Sequence, residues 1–190
     1  MLKIYIPAHF KINDLEVIAQ FITENPFATL ISGNHFITKI PMLAKKEGNS
    51  FVLEGHMARA NPHVLHLKTN KELSVLFDGP HYYVSPLLYE DPTKQVPTWN
   101  YSSVLVNGVV EIIEDSQWLK NSVFEMADHL EKTTAWKEKV DIELVNKLSN
   151  AISGLKITVT DVQAKFKLSQ NRSAQDRARV LEMASLSTQK

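Results

Sequence analysis

Five hydrogen-bonding side chains cluster at the end of an alternating segment, KFKL, which precedes the last amphipathic stretch of the sequence. They are Lys167, Ser169, Gln170, Asn171 and Arg172. A phosphate group needs this combination, because cations neutralise its charge while hydroxyl and amide groups fix its orientation. We therefore expect an anion-binding site where a strand meets a helix, although a solvated helix start would use the same residue types.

A second set of donors lies earlier in the chain. Arg59 and Asn61 directly precede Pro62 in the segment GHMARANP, and Thr38 and Lys39 are adjacent in the segment HFITKI. Each pair offers a phosphate one cation and one neutral polar group. Two ordinary roles remain open, since Asn61 can cap a helix that begins at Pro62 and Lys39 can be an outward-facing strand charge.

The segment VPTWNY contributes two aromatic side chains, Trp99 and Tyr101. A flat ligand ring requires an apolar slot with a few polar groups at its edge, and these rings are suited to line one. Aromatic residues of this kind also anchor cores and subunit interfaces, so both roles stay open at the level of the sequence.

Other chemistries find little support in the sequence. His63 and His66 are three residues apart with His56 upstream, but no carboxylate completes a zinc signature, so we assign no metal site. The chain has neither a Gly-rich phosphate loop nor a Gly-x-Ser-x-Gly elbow. It also has no cysteine, which excludes disulfides, thiolate catalysis and cysteine-ligated metal clusters.

The composition is that of a soluble globular protein. Hydrophobic residues make up 44% and charged residues 22% of the 190, which is enough to bury a core. The 21 basic and 21 acidic residues cancel, so the overall charge does not favour nucleic acid or an anionic membrane. No apolar run reaches the roughly 18 residues of a membrane span, and the first residues lack a signal-peptide core. We expect one domain over residues 1–190 and a cytoplasmic location.

Hydrophobic periodicity predicts helices near both ends of the chain and strands between them. The predicted strands cover residues 27–32, 35–43, 50–57, 72–78, 82–86, 101–114 and 155–169. The predicted helices cover residues 13–25, 60–70, 117–132, 141–153 and 173–186, with Asn13, Ser116 or Asp115, and Ser173 as N-caps. Turns at Gly33-Asn34, Glu47-Gly48-Asn49 and Asp78-Gly79-Pro80 separate the strands and indicate antiparallel pairing. The fold class is mainly β with α, an antiparallel β-barrel with peripheral helices.

Several phrases of the sequence are more specific than this pattern. They are YIPAHF (5–10), GHMARANP (55–62), FDGPHYYVSP (77–86), VPTWNY (96–101) and KFKLSQNR (165–172). With these phrases the chain resembles, over nearly its whole length, the FMN-binding negative transcriptional regulator family of PaiB-like proteins. The resemblance implies an FMN-binding split β-barrel related to pyridoxamine-phosphate-oxidase-like flavoproteins. It also implies a homodimer with flavin sites at the subunit interface.

The resemblance and the donor chemistry together define the candidate flavin-binding residues. The family usually has Thr-His where this chain has Thr38-Lys39, an aromatic residue near Val64, and a histidine where this chain has Leu105. The candidate cofactor-binding residues are Thr38, Lys39, His56, Met57, Arg59, Asn61, Trp99, Lys167, Ser169, Gln170, Asn171 and Arg172. We expect these contacts to be divided between two subunits.

Three functional classes remain after these observations. The first is an FMN-dependent transcriptional regulator, and the second is a flavin-dependent oxidoreductase on the same scaffold. The third is a dimer that has lost the flavin through the changes at Lys39, Val64 and Leu105. Direct DNA binding has weak support, because the sequence contains no convincing helix-turn-helix and only three arginines near the terminal helix.

Overall fold

A computed structural model gives the structure of the protein and describes residues 1–33 and 36–187, with side chains described through residue 184. Asn34 and His35, which belong to a predicted turn and strand, lie outside the described residues. The strands are β1 (Lys11–Ile12), β2 (Phe27–Ser32), β3 (Phe36–Glu47), β4 (Ser50–Ala58), β5 (Glu72–Val84), β6 (Thr98–Ile113) and β7 (Ile152–Lys167). The α-helices are α1 (Leu15–Glu24), α2 (Pro62–Thr69), α3 (Ser116–Glu131), α4 (Ile142–Ser149) and α5 (Ala174–Ser187).

Six of these strands form a closed antiparallel barrel. Their order is β7-β4-β3-β2-β5-β6, and β6 pairs again with β7 to complete the circle. The short strand β1 adds to the far end of β7, where Lys11 is opposite Lys165. The prediction of an antiparallel split β-barrel with peripheral helices is therefore confirmed.

Alternation along the strands fills the barrel interior with apolar side chains. In β2, Ala28 and Leu30 are fully buried, and in β5 Val75 and Phe77 occupy equivalent positions. Met57, in β4, belongs to the same core. Successive residues of a strand point to opposite faces, so every second residue of these segments lies inside. None of the helices in the described residues is both long and apolar enough to cross a membrane.

The helices begin at side-chain caps. Asp14, rather than the predicted Asn13, caps α1, because its carboxylate accepts hydrogen bonds from the backbone N–H groups of Glu16 and Val17. Asp115 caps α3 through the N–H of Trp118, and Ser173 accepts from the N–H of Asp176 at the start of α5. The prediction left Ser116 and Asp115 open for α3, and the structure selects Asp115.

Several predicted boundaries are wrong by three or four residues, since β3 extends to Glu47 instead of 43 and β6 begins at Thr98 instead of 101. The runs at 72–78 and 82–86 are a single strand, β5, because Asp78-Gly79-Pro80 forms an irregularity within the β5–β6 ladder instead of a turn. The predicted helix at 141–153 ends at Ser149, and β7 already begins at Ile152. Gly154 lets this part of β7 pass close to α3, since an added methyl group there would overlap the ring of Trp118.

The β5–β6 pair continues beyond the barrel and carries a small second core. Val84, Tyr89 and Val180 are buried together, which packs α5 against the loop that follows β5. The backbone N–H of Glu90 also donates to the carboxylate of Asp176 at 2.8 Å. Through these contacts α5 holds the end of β7 beside the β5–β6 extension.

Candidate functional site

A buried histidine links two strands to the start of α2. His63 Nε2 lies 2.7 Å from Ser32 Oγ, and its Nδ1 lies 2.8 Å from Thr38 Oγ1. Asn61 Nδ2 donates to the same Thr38 oxygen at 3.2 Å, while Asn61 Oδ1 caps α2 by accepting from the N–H of His63. Thr38 is half-buried, and its hydroxyl is the last polar group of this network. Burial, and then the nearby His66, lower the pKa of His63.

A hollow of about 390 Å³ opens beside this network at the start of α2. Arg59, Asn61 and Lys68 contribute its polar wall, and Leu65 is part of its apolar wall. Arg59 and Lys68 each lie 3.0 Å from the carboxylate of Glu114. The hydrogen bond from Lys68 is the main cause of the lowered pKa of Glu114, and Arg59 adds to it. The single negative charge of Glu114 is therefore shared by two cations, so these three side chains together carry one positive charge.

Three cations lie close together at the C-terminal end of β7, whereas Arg59 contacts Ile152 at the start of the same strand. Lys165, Lys167 and Arg172 form no ion pair with any carboxylate among the residues that the structure describes. Lys167 donates to the hydroxyl of Thr98, and Arg172 lies over the ring of Tyr89 with 5.1 Å to its centroid. Desolvation is the main cause that lowers the pKa of Lys167, and repulsion from Lys165 and Arg172 adds to it. A partly buried cation cluster of this kind favours an anionic partner.

The residues between Lys167 and Arg172 shape the backbone at this end. Ser169 has a φ of 60° and a buried hydroxyl that accepts from Asn100 Nδ2 at 2.9 Å. Gln170 closes the turn by accepting from the N–H of Leu168 and donating to the carbonyl of Phe166. Asn171 is exposed. Ser169 and Gln170 therefore hold the turn, while Asn171 is left open to a ligand.

Aromatic side chains lie next to the cation cluster. Trp99 is 51% exposed and Tyr83 is 47% exposed, and their rings meet edge to face 6.3 Å apart. Tyr101 lies under the ammonium group of Lys165, 5.1 Å from the ring centroid. Exposed rings beside unpaired cations suit a ligand that combines a flat ring with a phosphate.

Three of the predicted residues lie away from the network at the start of α2 and from the cation cluster at the end of β7. Lys39 points to the other face of β3 from Thr38 and donates to the hydroxyl of Thr29 at 3.1 Å. His56 faces α3, with its Nδ1 3.3 Å from Ser122 Oγ. Met57 is 4% exposed in the barrel core. Their assignment to the cofactor stays a prediction, and the geometry gives each of them a structural contact instead.

The predicted residues therefore form two separate regions of one chain. We name the first the α2 region, comprising Thr38, Arg59 and Asn61, and the second the β7-end region, comprising Trp99, Lys167 and residues 169–172. Glu114, which binds Arg59, directly follows β6, whereas Trp99 lies at the start of β6. A 16-residue strand is about 50 Å in contour, so β6 separates the two regions by most of its length.

The donor sets fit a phosphorylated flavin. Each region offers cations that described carboxylates leave partly or wholly without neutralisation, together with hydroxyl or amide groups. The β7-end region adds exposed aromatic rings for an isoalloxazine. Among the described residues, no group of three or more His, Asp or Glu side chains is arranged to hold a metal ion.

Sequence reasoning missed four residues that complete these regions. Ser32 and Glu114 come from segments without a motif, whereas Lys165 begins the phrase KFKLSQNR but is not among the candidate residues. The histidine spacing indicates His63 only as a possible metal ligand, and the signal for its local role is its position two residues after a cap Asn. Pairing of β2 with β3 places Ser32 near Thr38, and this pairing is not visible in the spacing of the sequence.

Comparisons with known proteins agree with this architecture. A profile of the family described as "Putative FMN-binding domain" matches residues 4–161. The Bacillus subtilis protein named protease synthase and sporulation protein PAI 2 is 32% identical over 184 residues, which cover 94% of this chain and 87% of that protein. An uncharacterised protein of Emericella nidulans is 31% identical over 192 residues, which cover 83% of this chain and 76% of that protein.

A solved structure of the same fold is the flavocytochrome Anf3 from Azotobacter vinelandii. It aligns with a TM-score of 0.64 at 16% identity, covering 89% of this chain and 75% of that one. At this identity the likeness shows the fold alone. The family match, the relatives and the fold together show that the chain belongs to the PaiB-like family of FMN-binding split-barrel proteins, with FMN as its cofactor.

Proposed function

We propose that this protein is a homodimeric, FMN-dependent regulator of transcription that acts in the cytoplasm. In this proposal FMN lies between two subunits, with the α2 region of one chain and the β7-end region of the other on the same flavin. Residues 1–190 act as one domain. When bound, FMN supplies redox chemistry through its isoalloxazine ring, and the protein supplies orientation and charge.

The distance between the two regions is the observation that supports a dimer. Both regions offer donors for a phosphorylated flavin, but they lie at opposite ends of β6, a strand about 50 Å in contour. A single FMN that uses both regions must therefore take them from two chains. The exposed rings of Tyr83 and Trp99 are the kind of apolar surface that a subunit interface covers.

The regulatory role is supported by the relatives and by the position of the site. The Bacillus subtilis relative is named a protease synthase and sporulation protein, and sporulation is a process that a cell switches on and off. A cofactor that bridges two subunits can bias their relative arrangement, because it binds one arrangement better than the other. The balanced charge of 21 basic and 21 acidic residues favours an indirect effect on DNA through a partner.

Subunit mixing tests the divided site. One variant carries Thr38→Val with Arg59→Gln, and the other carries Lys167→Gln with Arg172→Gln. Neither variant is expected to retain FMN as a homodimer, whereas their mixed dimer has one intact site. After denaturation and joint refolding, random pairing in a two-fold dimer should restore roughly a quarter of the FMN sites. Retention of no FMN by the mixture, or a monomer by sedimentation, would refute the divided site.

The flavin-dependent oxidoreductase is the second candidate, and it uses the same cofactor. Purified FMN-loaded dimer should oxidise NADH or NADPH slowly, while FMN binding should change the expression of target genes in cells that carry the wild-type chain. Rapid oxidation by the wild type, with no change in gene expression in a strain that carries the Lys167→Gln/Arg172→Gln variant, would favour the oxidoreductase.

A further inference from the structure

The proton on the His63 ring decides what the Thr38 hydroxyl can do. A neutral imidazole has one donor and one acceptor nitrogen. Asn61 Oδ1 accepts from the backbone of His63 at 3.0 Å, so the amide group of Asn61 must point its Nδ2 towards Thr38. Thr38 Oγ1 is therefore already an acceptor for Asn61, and its remaining lone pair and its proton are left for His63 and for a ligand.

Ser32 selects one of the two tautomers. Ser32 is 3% exposed, and His63 Nε2 is the hydrogen-bond partner of its hydroxyl among the residues that the structure describes. If Nε2 carried the proton, the buried Ser32 hydroxyl would have no described acceptor for its own proton, which costs free energy. If Nδ1 carries the proton, Ser32 donates to Nε2 and His63 donates to Thr38.

The second arrangement leaves the hydroxyl proton of half-buried Thr38 as an unused donor. Thr38 Oγ1 then accepts from both His63 and Asn61, so both of its lone pairs are used. Its own proton has no role within the network and is free for an acceptor outside it. Burial lowers the pKa of His63, which keeps the ring neutral near pH 7 and its Nε2 able to accept.

We propose that His63 is a positioning residue of the flavin site, whose Nδ1–H fixes Thr38 as a hydrogen-bond donor to an oxygen atom of FMN. The ligand chemistry is an acceptor oxygen, which either the phosphate group or the flavin ring and its ribityl chain can supply. The proposal rests on Thr38 lying in the flavin site proposed above, and it assigns no catalytic role to His63.

Matched substitutions separate the donor role of His63 from simple packing. His63→Asn keeps an amide nitrogen near the position of Nδ1, whereas His63→Gln extends the amide to the position of Nε2. Thr38→Ser keeps the hydroxyl, and Thr38→Val removes it with little change of shape. His9→Gln, at an exposed histidine outside the network, controls for general effects of losing a histidine.

The first measurement is the dissociation constant of FMN and of riboflavin for each variant, from quenching of flavin fluorescence. Thr38→Val and His63→Gln should each weaken FMN binding by about 5- to 10-fold, the value of one hydrogen bond. Thr38→Ser and His63→Asn should stay within about 3-fold of the wild type. The double variant Thr38→Val/His63→Gln should be no weaker than Thr38→Val, because His63 acts through Thr38.

Riboflavin identifies which oxygen is bound. A loss confined to FMN places Thr38 at the phosphate, and an equal loss for riboflavin places it at the ring or ribityl chain; both results support the proposal. Additive effects in the double variant, or equal losses for His63→Asn and His63→Gln, would overturn it. Wild-type FMN affinity in Thr38→Val would overturn it too. The divided site would still stand in that case if an Arg59→Gln subunit mixed with the Lys167→Gln/Arg172→Gln subunit restored FMN binding.

A second measurement reads the tautomer directly. The ring nitrogen chemical shifts of ¹⁵N-labelled histidine distinguish a protonated Nδ1 from a protonated Nε2, whether or not FMN is bound. We expect His63, assigned by comparison with His63→Asn, to carry its proton on Nδ1. A proton on Nε2 would overturn the proposal even if FMN binds tightly. Circular dichroism of each variant checks that the barrel is folded.

Discussion

The guanidinium group of Arg59, which lines the hollow at the start of α2, lies 3.0 Å from the carboxylate of Glu114. Arg59 also donates to the carbonyl of Ile152 at 3.1 Å, so it ties the start of β7 to the end of β4. Its charge is therefore partly offset before any ligand arrives. An anion that binds in the hollow competes with Glu114 for both Arg59 and Lys68.

Removing that competition should strengthen flavin binding. Glu114→Gln keeps the size of the side chain but removes the negative charge, which frees two cations for the FMN phosphate. Because partly exposed ion pairs are weak, we expect FMN affinity to rise only about 2- to 5-fold. Fluorescence titration at low and high salt measures the change, and riboflavin should show none. A weaker FMN affinity would mean that Glu114 positions Arg59 more than it neutralises it.

The cation cluster at the end of β7 should recognise the phosphate by charge, together with the α2 region of the other subunit. Lys167→Gln with Arg172→Gln should weaken FMN binding by about 10-fold or more, since charge-assisted hydrogen bonds contribute about 1.5–3 kcal/mol. Riboflavin binding should change little. Arg177→Gln is the matched control, because Arg177 is an exposed cation on α5. Equal losses for FMN and riboflavin would place the ring, rather than the phosphate, at this end.

Acid should destabilise the fold through His56. Burial lowers the pKa of this histidine below its ordinary value of 6.5, so the unfolded chain binds the proton more tightly than the folded chain. Its contribution to stability is complete above pH 6.5 and is lost as the pH falls towards the folded pKa. The urea midpoint should therefore fall between pH 7.5 and pH 5.5 (about one unit on either side of that value). His56→Gln should reduce this fall, and an unchanged fall would assign it to other groups.

The approach of β7 to α3 should not tolerate a side chain at residue 154. A methyl group on Gly154 would overlap the ring of Trp118, and overpacking of this kind costs about 1–3 kcal/mol. Thermal or urea unfolding of Gly154→Ala measures the loss. Trp118→Leu should make the same alanine less costly, because it removes the ring. A full loss in the double variant would instead indicate that contacts other than the Trp118 ring set the cost.

The elements with strong local signals were predictable, and the departures have local physical causes. Strands β2 and β4 were predicted within one residue, because alternating residues and glycine turns bound them. The irregularity at Asp78-Gly79-Pro80 resembles a turn in sequence, but Phe21 on α1 packs against Gly79 and the strand continues. Strand β1 was not predicted, because two residues are too few to show the alternation of apolar and polar side chains that marks a strand. Only their pairing with β7 makes them a strand.

The site was predicted in its residue types but not in its arrangement. Lys167 and Arg172 were recognised as cations beside polar groups, and the structure shows that no described carboxylate neutralises them. The sequence could not show that Lys39 points away from Thr38, or that Glu114 binds Arg59. These relationships depend on strand register and on contacts between distant segments, which residue spacing does not report.

The two pairings of β7 also affect how the chain folds during synthesis. β4 and β6 both pair with β7, so each keeps an unpaired edge until residues 152–167 are available. The 54 residues from Glu114 to Lys167 take a ribosome roughly 3–11 s to add. During that interval the nascent chain carries two open strand edges, the feature by which β proteins aggregate. Closure of the barrel therefore follows translation of β7, and the partly made chain is the form that most needs a chaperone.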